Sequence, residues 1–216
     1  MTDHLPAVAA AEAGRDRWLE GRRQRLHTAR EWLLSGGSAL LFGPAGVGKS
    51  AALDLVTAAA TRSRVLRFDA YRPEPGRPSV TRRAADRPYA ALAALFGAVG
   101  PADLAPLPAS RRDVLGALMA GDAEALPPAA VRLAVLNLVR FLARSRPLLL
   151  AVDDLQGVDP ASADVLRFVS TRVDDVPVQL AATERVAPGA LPVCRGLCPS
   201  PLLVVRLEPV DAGERG

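Results

Sequence analysis

Short, largely apolar runs alternate along this chain with longer stretches in which apolar residues recur every three or four positions. The runs are Ala39–Phe42, Val65–Asp69, Leu148–Val152, Val178–Ala182 and Leu202–Val205. Strands that are apolar throughout, rather than at alternate positions, are covered on both faces, so the pattern predicts a parallel sheet between layers of helix. The helical stretches are Arg15–Leu34, Lys49–Thr61, Tyr89–Ala98, Arg111–Ala120, Ala129–Ser145 and Ala161–Arg172. Residues 71–88 are rich in Pro and Arg and have no period, which predicts a long surface loop. A second breaker-rich stretch, Gly100–Ser110, separates two helices. Nothing marks a boundary between independent domains, and 216 residues with 50% apolar content can bury one substantial core.

Composition narrows the class. It excludes a disordered, collagenous or disulfide-stapled chain. No stretch free of charge and proline is longer than Tyr89–Gly100, about a dozen residues and too short to span a bilayer, and a soluble cytoplasmic protein is expected. Forty alanines stand against no isoleucine, one asparagine and one lysine, as GC-rich codons would produce. The pI near 9.8 therefore reflects arginine usage, with a net charge of only +4. Arg15, Arg17, Arg22, Arg23, Arg25 and Arg30 cluster near the start, but Asp16, Glu20 and Glu31 are interleaved. That mixture reads as a solvated helix face rather than a phosphate-backbone stripe. Cys194 and Cys198 have C-x-x-x-C spacing, with His4 and His27 far off in sequence, and read as ordinary reduced thiols.

One segment carries chemistry on its own. Gly43-Pro44-Ala45-Gly46-Val47-Gly48-Lys49-Ser50 fits G-x-x-x-x-G-K-[ST] without a mismatch, between a strand and a helix. Glycines let successive backbone N–H groups turn toward phosphate oxygens, and the following helix contributes the positive end of its dipole. Lys49 would bridge the β- and γ-phosphates, and the Ser50 hydroxyl would ligate Mg²⁺. A chain with 26 arginines keeps its one lysine at this position, where a planar guanidinium would not replace a compact ammonium. Just upstream, Leu34-Ser35-Gly36-Gly37 reads as a glycine-capped helix end.

About a hundred residues later Leu148-Leu149-Leu150-Ala151-Val152 ends in Asp153-Asp154. At the C-terminal edge of a parallel sheet, Asp153 could hold Mg²⁺ and Asp154 could orient or deprotonate a water. Asp159 and Pro160 look like the N-cap and first residue of the next helix. Arg185, at the end of Ala182-Thr183-Glu184-Arg185, is placed to sense a γ-phosphate or to be an ordinary surface arginine.

Together these residues resemble the ATP-binding module of large LuxR-type transcriptional regulators, in the AAA-like STAND group. Gly14-Arg15-Asp16 is similar to the Gly-Arg-acidic element that opens such modules near the base of the nucleotide. Leu40 to Ser50, Arg87 to Leu92, Val152 to Ser162, Ala182 to Arg185 and Arg206 to Val210 are similar to successive motifs of the group. Two places differ: Gln156-Gly157 stands where the group has His-Trp, and Ala11-Glu12-Ala13 replaces the apolar residues before Gly-Arg. The resemblance implies an α/β three-layer P-loop NTPase with a five-stranded, mainly parallel sheet in the order 5-1-4-3-2 and ATP and Mg²⁺ as ligands. Residues 1–35 would form a helical lead-in, 36–210 the NTPase core and 211–216 a tail toward a lid domain. Lid, winged-helix, sensor and helix-turn-helix regions follow in the group and lie outside these 216 residues, so direct DNA binding is not expected of this chain, and the lack of a long apolar stretch leaves no membrane binding expected either. A protein partner or self-association through such regions is expected instead.

The site expected from these readings comprises Gly43, Pro44, Ala45, Gly46, Val47, Gly48, Lys49, Ser50 and Arg15 for nucleotide, Ser50 and Asp153 for metal, and Asp154, Lys49 and Arg185 for catalysis. The leading function is a regulatory ATP switch with slow or absent hydrolysis. An active ATPase or small-molecule kinase, and a non-functional fragment, are the alternatives.

Overall fold

The computed structural model describes residues 5–69 and 87–209, with the side chains of residues 5–18 and Glu124 outside the description. Among the described residues the five strands are β1 (Ser38–Gly43), β2 (Arg64–Asp69), β3 (Leu148–Asp153), β4 (Val178–Arg185) and β5 (Leu202–Arg206). They form one sheet in the order β2-β3-β4-β1-β5. Every pairing is parallel. The order is 5-1-4-3-2 read from the other edge, as expected for a P-loop NTPase, and the sheet is wholly rather than mainly parallel.

Helices α1 (Leu5–Leu34) and α2 (Lys49–Thr57) cover one face, while α3 (Ala90–Leu95), α4 (Pro101–Leu104), α5 (Ala109–Ala120), α6 (Pro128–Ser145) and α7 (Pro160–Ser170) belong to the other side. The strand residues divide accordingly. Ala39, Leu41, Leu149, Ala181 and Val205 pack with Leu26, Leu33, Leu53 and Val56 of α1 and α2. Leu40, Leu66, Leu150, Val152 and Leu180 pack with Leu92, Leu115, Val135, Leu138 and Val165 of the opposite layer. Two cores on one sheet explain why β1 is buried at all six positions and why the strands are continuous apolar runs.

Several boundaries differ from the sequence reading. Helix α1 begins at Leu5, not Arg15. Helix α2 stops at Thr57, not Thr61, where Thr57 Oγ1 turns back onto Leu53 O at 2.7 Å and tight turns lead into β2. Helix α3 runs only from Ala90 to Leu95, and α7 ends at Ser170. Strand β4 continues three residues past Ala182 to Arg185, because Gly43 extends β1 beside it. The Gly100–Ser110 stretch contains a short helix after all, α4, which starts at Pro101 and is capped by Asp103 Oδ2 accepting from Gly100 N at 3.0 Å. Arg64 clamps α4 to the edge strand through both Asp103 oxygens, at 2.6 and 2.7 Å. The 71–88 loop falls outside the described residues up to residue 86, as does the 211–216 tail.

The glycine cap after α1 forms as expected. Gly36 adopts φ +102°, Gly36 N donates to Leu33 O at 3.1 Å and Gly37 N to Trp32 O at 3.0 Å. Among the described residues, no helix is long and apolar enough to cross a membrane.

Candidate nucleotide site

The loop between β1 and α2 leaves the sheet at Gly43, whose neighbours leave no room for a side chain. A Cβ there would lie 2.2 Å from Leu207 O. Gly46 and Gly48 both take the left-handed conformation, with φ of +77° and +74°, which an L side chain adopts only at a cost. Gly48 is also the residue from which α2 starts, accepting Ala52 N at 3.1 Å. Val47 is buried against the core and fixes the loop from below, whereas Ala45, Gly46, Gly48 and Ser50 are exposed. The loop therefore presents the exposed face of a glycine turn and the beginning of a helix, the two features that favour an anion.

Lys49 is buried within this turn, and its Nζ donates to Pro44 O at 2.7 Å. Burial pushes its pKa below the ordinary lysine value; Asp154 opposes that shift, Arg185 adds to it and Asp153 opposes it again. The acidic strand end and the β4 arginine thus lie within electrostatic reach of the loop lysine.

Thr183 and Gln156 organise the two carboxylates. Thr183 Oγ1, fully buried on β4, donates to Asp153 Oδ1 at 2.5 Å and accepts from Asp154 N at 2.8 Å. Asp154 has φ +57° and ψ +60°, a left-handed conformation uncommon outside glycine. Its Oδ1 accepts from Gln156 Nε2 at 2.9 Å, and its Oδ2 lies 3.8 Å from Arg185 Nη2. Gln156 Oε1 in turn accepts from Arg185 N at 2.9 Å. One amide side chain joins the acid to the arginine. Neither Thr183 nor Gln156 belonged to the residues expected from sequence. A polar residue in a strand that ends beside the acidic pair was the available signal for Thr183, and for Gln156 it was its place two residues after Asp154, where the resembled group has His.

The other expected residues are placed as follows. Ser50 lies in the first turn of α2 and is exposed beside Lys49. Arg15 lies in α1, and its side chain is outside the described residues. Asp159 is buried and caps α7 through Ser162 N at 2.9 Å. It has a second role that the sequence did not reveal: it also accepts from Tyr89 N at 2.9 Å and Ala91 N at 3.0 Å, at the start of α3.

Beyond Arg185, the neighbouring Glu184 is buried and receives Val193 N at 2.8 Å and Cys194 N at 3.0 Å, holding the β4–β5 connection. Cys194 and Cys198 are free thiols, as expected. Burial pushes Cys194 up to about 11 and Cys198 up to about 12, so both stay protonated at neutral pH. Among the described residues, no group of three or more His, Cys, Asp or Glu could hold a metal by itself. Divalent-cation binding at Ser50 and Asp153 would need ligands from the nucleotide and water. A glycine cradle, a buried ammonium and two adjacent carboxylates fit such a metal-bearing, phosphate-rich ligand.

Comparison with known proteins supplies the family. A model of the AAA ATPase domain matches residues 13–181. Among solved structures, the Aeropyrum pernix ORC1 protein in complex with DNA is similar at 18% identity over 87% of this chain and 45% of its own, with a TM-score of 0.48. Drosophila ORC bound to DNA is similar at 16% identity, covering 89% of this chain and 92% of the matched chain, with a TM-score of 0.47. Drosophila ORC bound to AT-rich DNA and Cdc6 matches at 14% identity over 86% and 53%, with a TM-score of 0.42. The chain thus spans about half the length of two of these three structures. No curated protein matches. With the family match running from α1 into β4, across both the glycine loop and the acidic strand end, the chain belongs to the AAA ATPase domain family.

Proposed function

We propose that this domain binds ATP with Mg²⁺ at the β1–α2 loop and works as a nucleotide-dependent regulatory switch with slow or absent hydrolysis, as the ATP-binding modules of large LuxR-type regulators do. The observation that carries the reading is the setting of Lys49. The chain's one lysine is buried in a glycine turn, with Asp153, Asp154 and Arg185 close enough to shift its ionisation. In this reading the loop N–H groups of Gly46 to Ser50 and the Lys49 ammonium hold the phosphates. The Ser50 hydroxyl and Asp153 hold the cation, the latter through water. The bound nucleotide supplies a γ-phosphate that Arg185 can engage in place of Asp154.

The surroundings of Asp154 support the slow-turnover reading. A general base needs an oxygen within reach of the water it activates, and here Gln156 occupies Oδ1 while Arg185 stands at Oδ2. With Arg185 turned to a γ-phosphate, Gln156 would still hold Oδ1 and compete with a water for the carboxylate, which suits a device that reports nucleotide state better than one that turns over rapidly.

The test is calorimetric titration of ATP·Mg²⁺ into the wild-type chain and into Lys49→Ala. Saturable binding that is lost in the variant supports the site. Binding of equal strength in both overturns it. Quench-flow on the bound complex then separates a switch, which retains ATP over many minutes, from an enzyme that releases ADP in repeated turnovers.

A further inference from the structure

The geometry points to Arg22 of α1 as a second cation of the nucleotide site, one that reads the phosphates ATP and ADP have in common; the inference rests on the nucleotide reading given above. Arg22 Nη2 donates to Gly48 O at 3.1 Å, across 26 residues of sequence. A Cβ on Gly48 would lie 3.1 Å from the same nitrogen, so the guanidinium stands directly over the left-handed glycine that precedes Lys49. Burial lowers the pKa of Arg22 from its ordinary value, as happens to a cation drawn toward a crowded loop, although an arginine so shifted is still fully charged.

Position in the sheet indicates which phosphates Arg22 would meet. Asp153, Asp154 and Arg185 lie at the ends of β3 and β4, on one side of β1. Helix α1 reaches the loop from the other side. Three residues after Arg22, Arg25 Nη1 lies 3.5 Å from both Arg206 O and Glu208 Oε2, at the end of β5. The groups suited to the terminal phosphate and its cation are therefore on the β3–β4 flank, and Arg22 is on the β5 flank. Gly48 O also accepts Ala52 N, so the guanidinium rests against the flank of the first α2 turn, from which its long side chain can turn to a phosphate oxygen held by the loop N–H groups. It acts beside Lys49, with a reach set by α1.

The test measures ATP·Mg²⁺ and ADP·Mg²⁺ affinity for the wild type, Arg22→Ala, Arg22→Gln and Arg22→Lys, each paired with a thermal melt without nucleotide. One charge-assisted contact corresponds to a loss of about tenfold. The expected result is that loss for both nucleotides alike in Arg22→Ala and Arg22→Gln, an unchanged ATP-to-ADP ratio, partial recovery in Arg22→Lys and an unchanged nucleotide-free melt. Wild-type affinity in Arg22→Gln overturns the inference alone. So does a weakened affinity that comes with a lowered nucleotide-free melt and no recovery by lysine, since Arg22 would then be only a structural tie. Absence of nucleotide binding in the wild type overturns the nucleotide reading, and this inference falls with it.

Discussion

Thr183 on β4 hydrogen-bonds Asp153 on β3 at 2.5 Å and accepts the N–H of the following Asp154 at 2.8 Å. One buried hydroxyl thus holds the side chain of the first acid and the backbone of the second, and it stabilises a left-handed residue at the sheet edge. Thr183→Val keeps the volume and removes both bonds, leaving Asp154 N–H without this acceptor. A loss of about 1–3 kcal/mol in unfolding free energy is expected, measured by urea denaturation. Because Asp153 would lose its restraint, Mg²⁺-dependent nucleotide affinity should fall as well. A variant as stable as the wild type would show that the hydroxyl contributes nothing.

Asp159 ties two segments about 70 residues apart. Its Oδ1 accepts Ser162 N and Tyr89 N, and its Oδ2 accepts Ala91 N. Ser162 Oγ adds a bond from Leu92 N at 3.2 Å. The start of α3, including Tyr89 at φ +65°, is therefore built on the cap of α7. Asp159→Asn has one acceptor oxygen, so in either orientation its NH₂ faces a backbone N–H. Destabilisation by about 2–3 kcal/mol is expected, with hydrogen exchange accelerated at Tyr89 and Ala91. If those two amides remain as protected as in the wild type, the link between the helices is not what orders α3.

The strands and the phosphate loop were legible from sequence for a physical reason. A strand covered on both faces has to be apolar throughout, and a glycine turn around phosphate needs particular residues at fixed spacing, so both leave local patterns. Asp159 was legible only in part: the cap of α7 is local, but the bonds to Tyr89 and Ala91 exist because folding brings α3 alongside. Thr183, Gln156 and Arg22 were not legible as site residues, since each acts through a partner on another element. Helix α4 was missed because its first residue is proline in a breaker-rich stretch, where Asp103 supplies a cap and Arg64 from β2 holds it in place. The α2 boundary depends on Thr57 turning back to bond its own helix.

The Arg64–Asp103 clamp makes stability depend on acid. The paired guanidinium holds Asp103 down at about 2, against an ordinary 3.8. A carboxylate whose folded pKa is depressed stabilises fully above the unfolded value, and that contribution is lost as pH falls toward the folded one. The pair is about a quarter exposed, so about 1–2 kcal/mol should disappear between pH 4 and pH 2. Asp103→Asn should be less stable than the wild type at neutral pH by a similar amount and show a flatter profile across that window. Parallel profiles for the two proteins would mean that the acid sensitivity lies elsewhere.

Gly43 and Gly46 are both glycines of the phosphate loop, but the structure assigns them different constraints. A Cβ at Gly46 meets nothing within 4 Å, so Gly46→Ala bears only the strain of a φ of +77°, about 1–2 kcal/mol. At Gly43 the obstacle is backbone: the added carbon would stand 2.2 Å from Leu207 O. Leu207 N is itself bonded to Phe42 O at 2.7 Å, and Gly43 O accepts Val186 N at 3.2 Å. Relief therefore requires moving the end of β5 or the residue following β4, both of which are fastened to β1. Gly43→Ala should cost about 3–5 kcal/mol, placing its urea midpoint well below that of Gly46→Ala. The close approach of Leu207 is what makes Gly43 obligatory, so equal midpoints for the two variants would show that this contact yields easily and that the loop, rather than the sheet, sets the requirement for glycine.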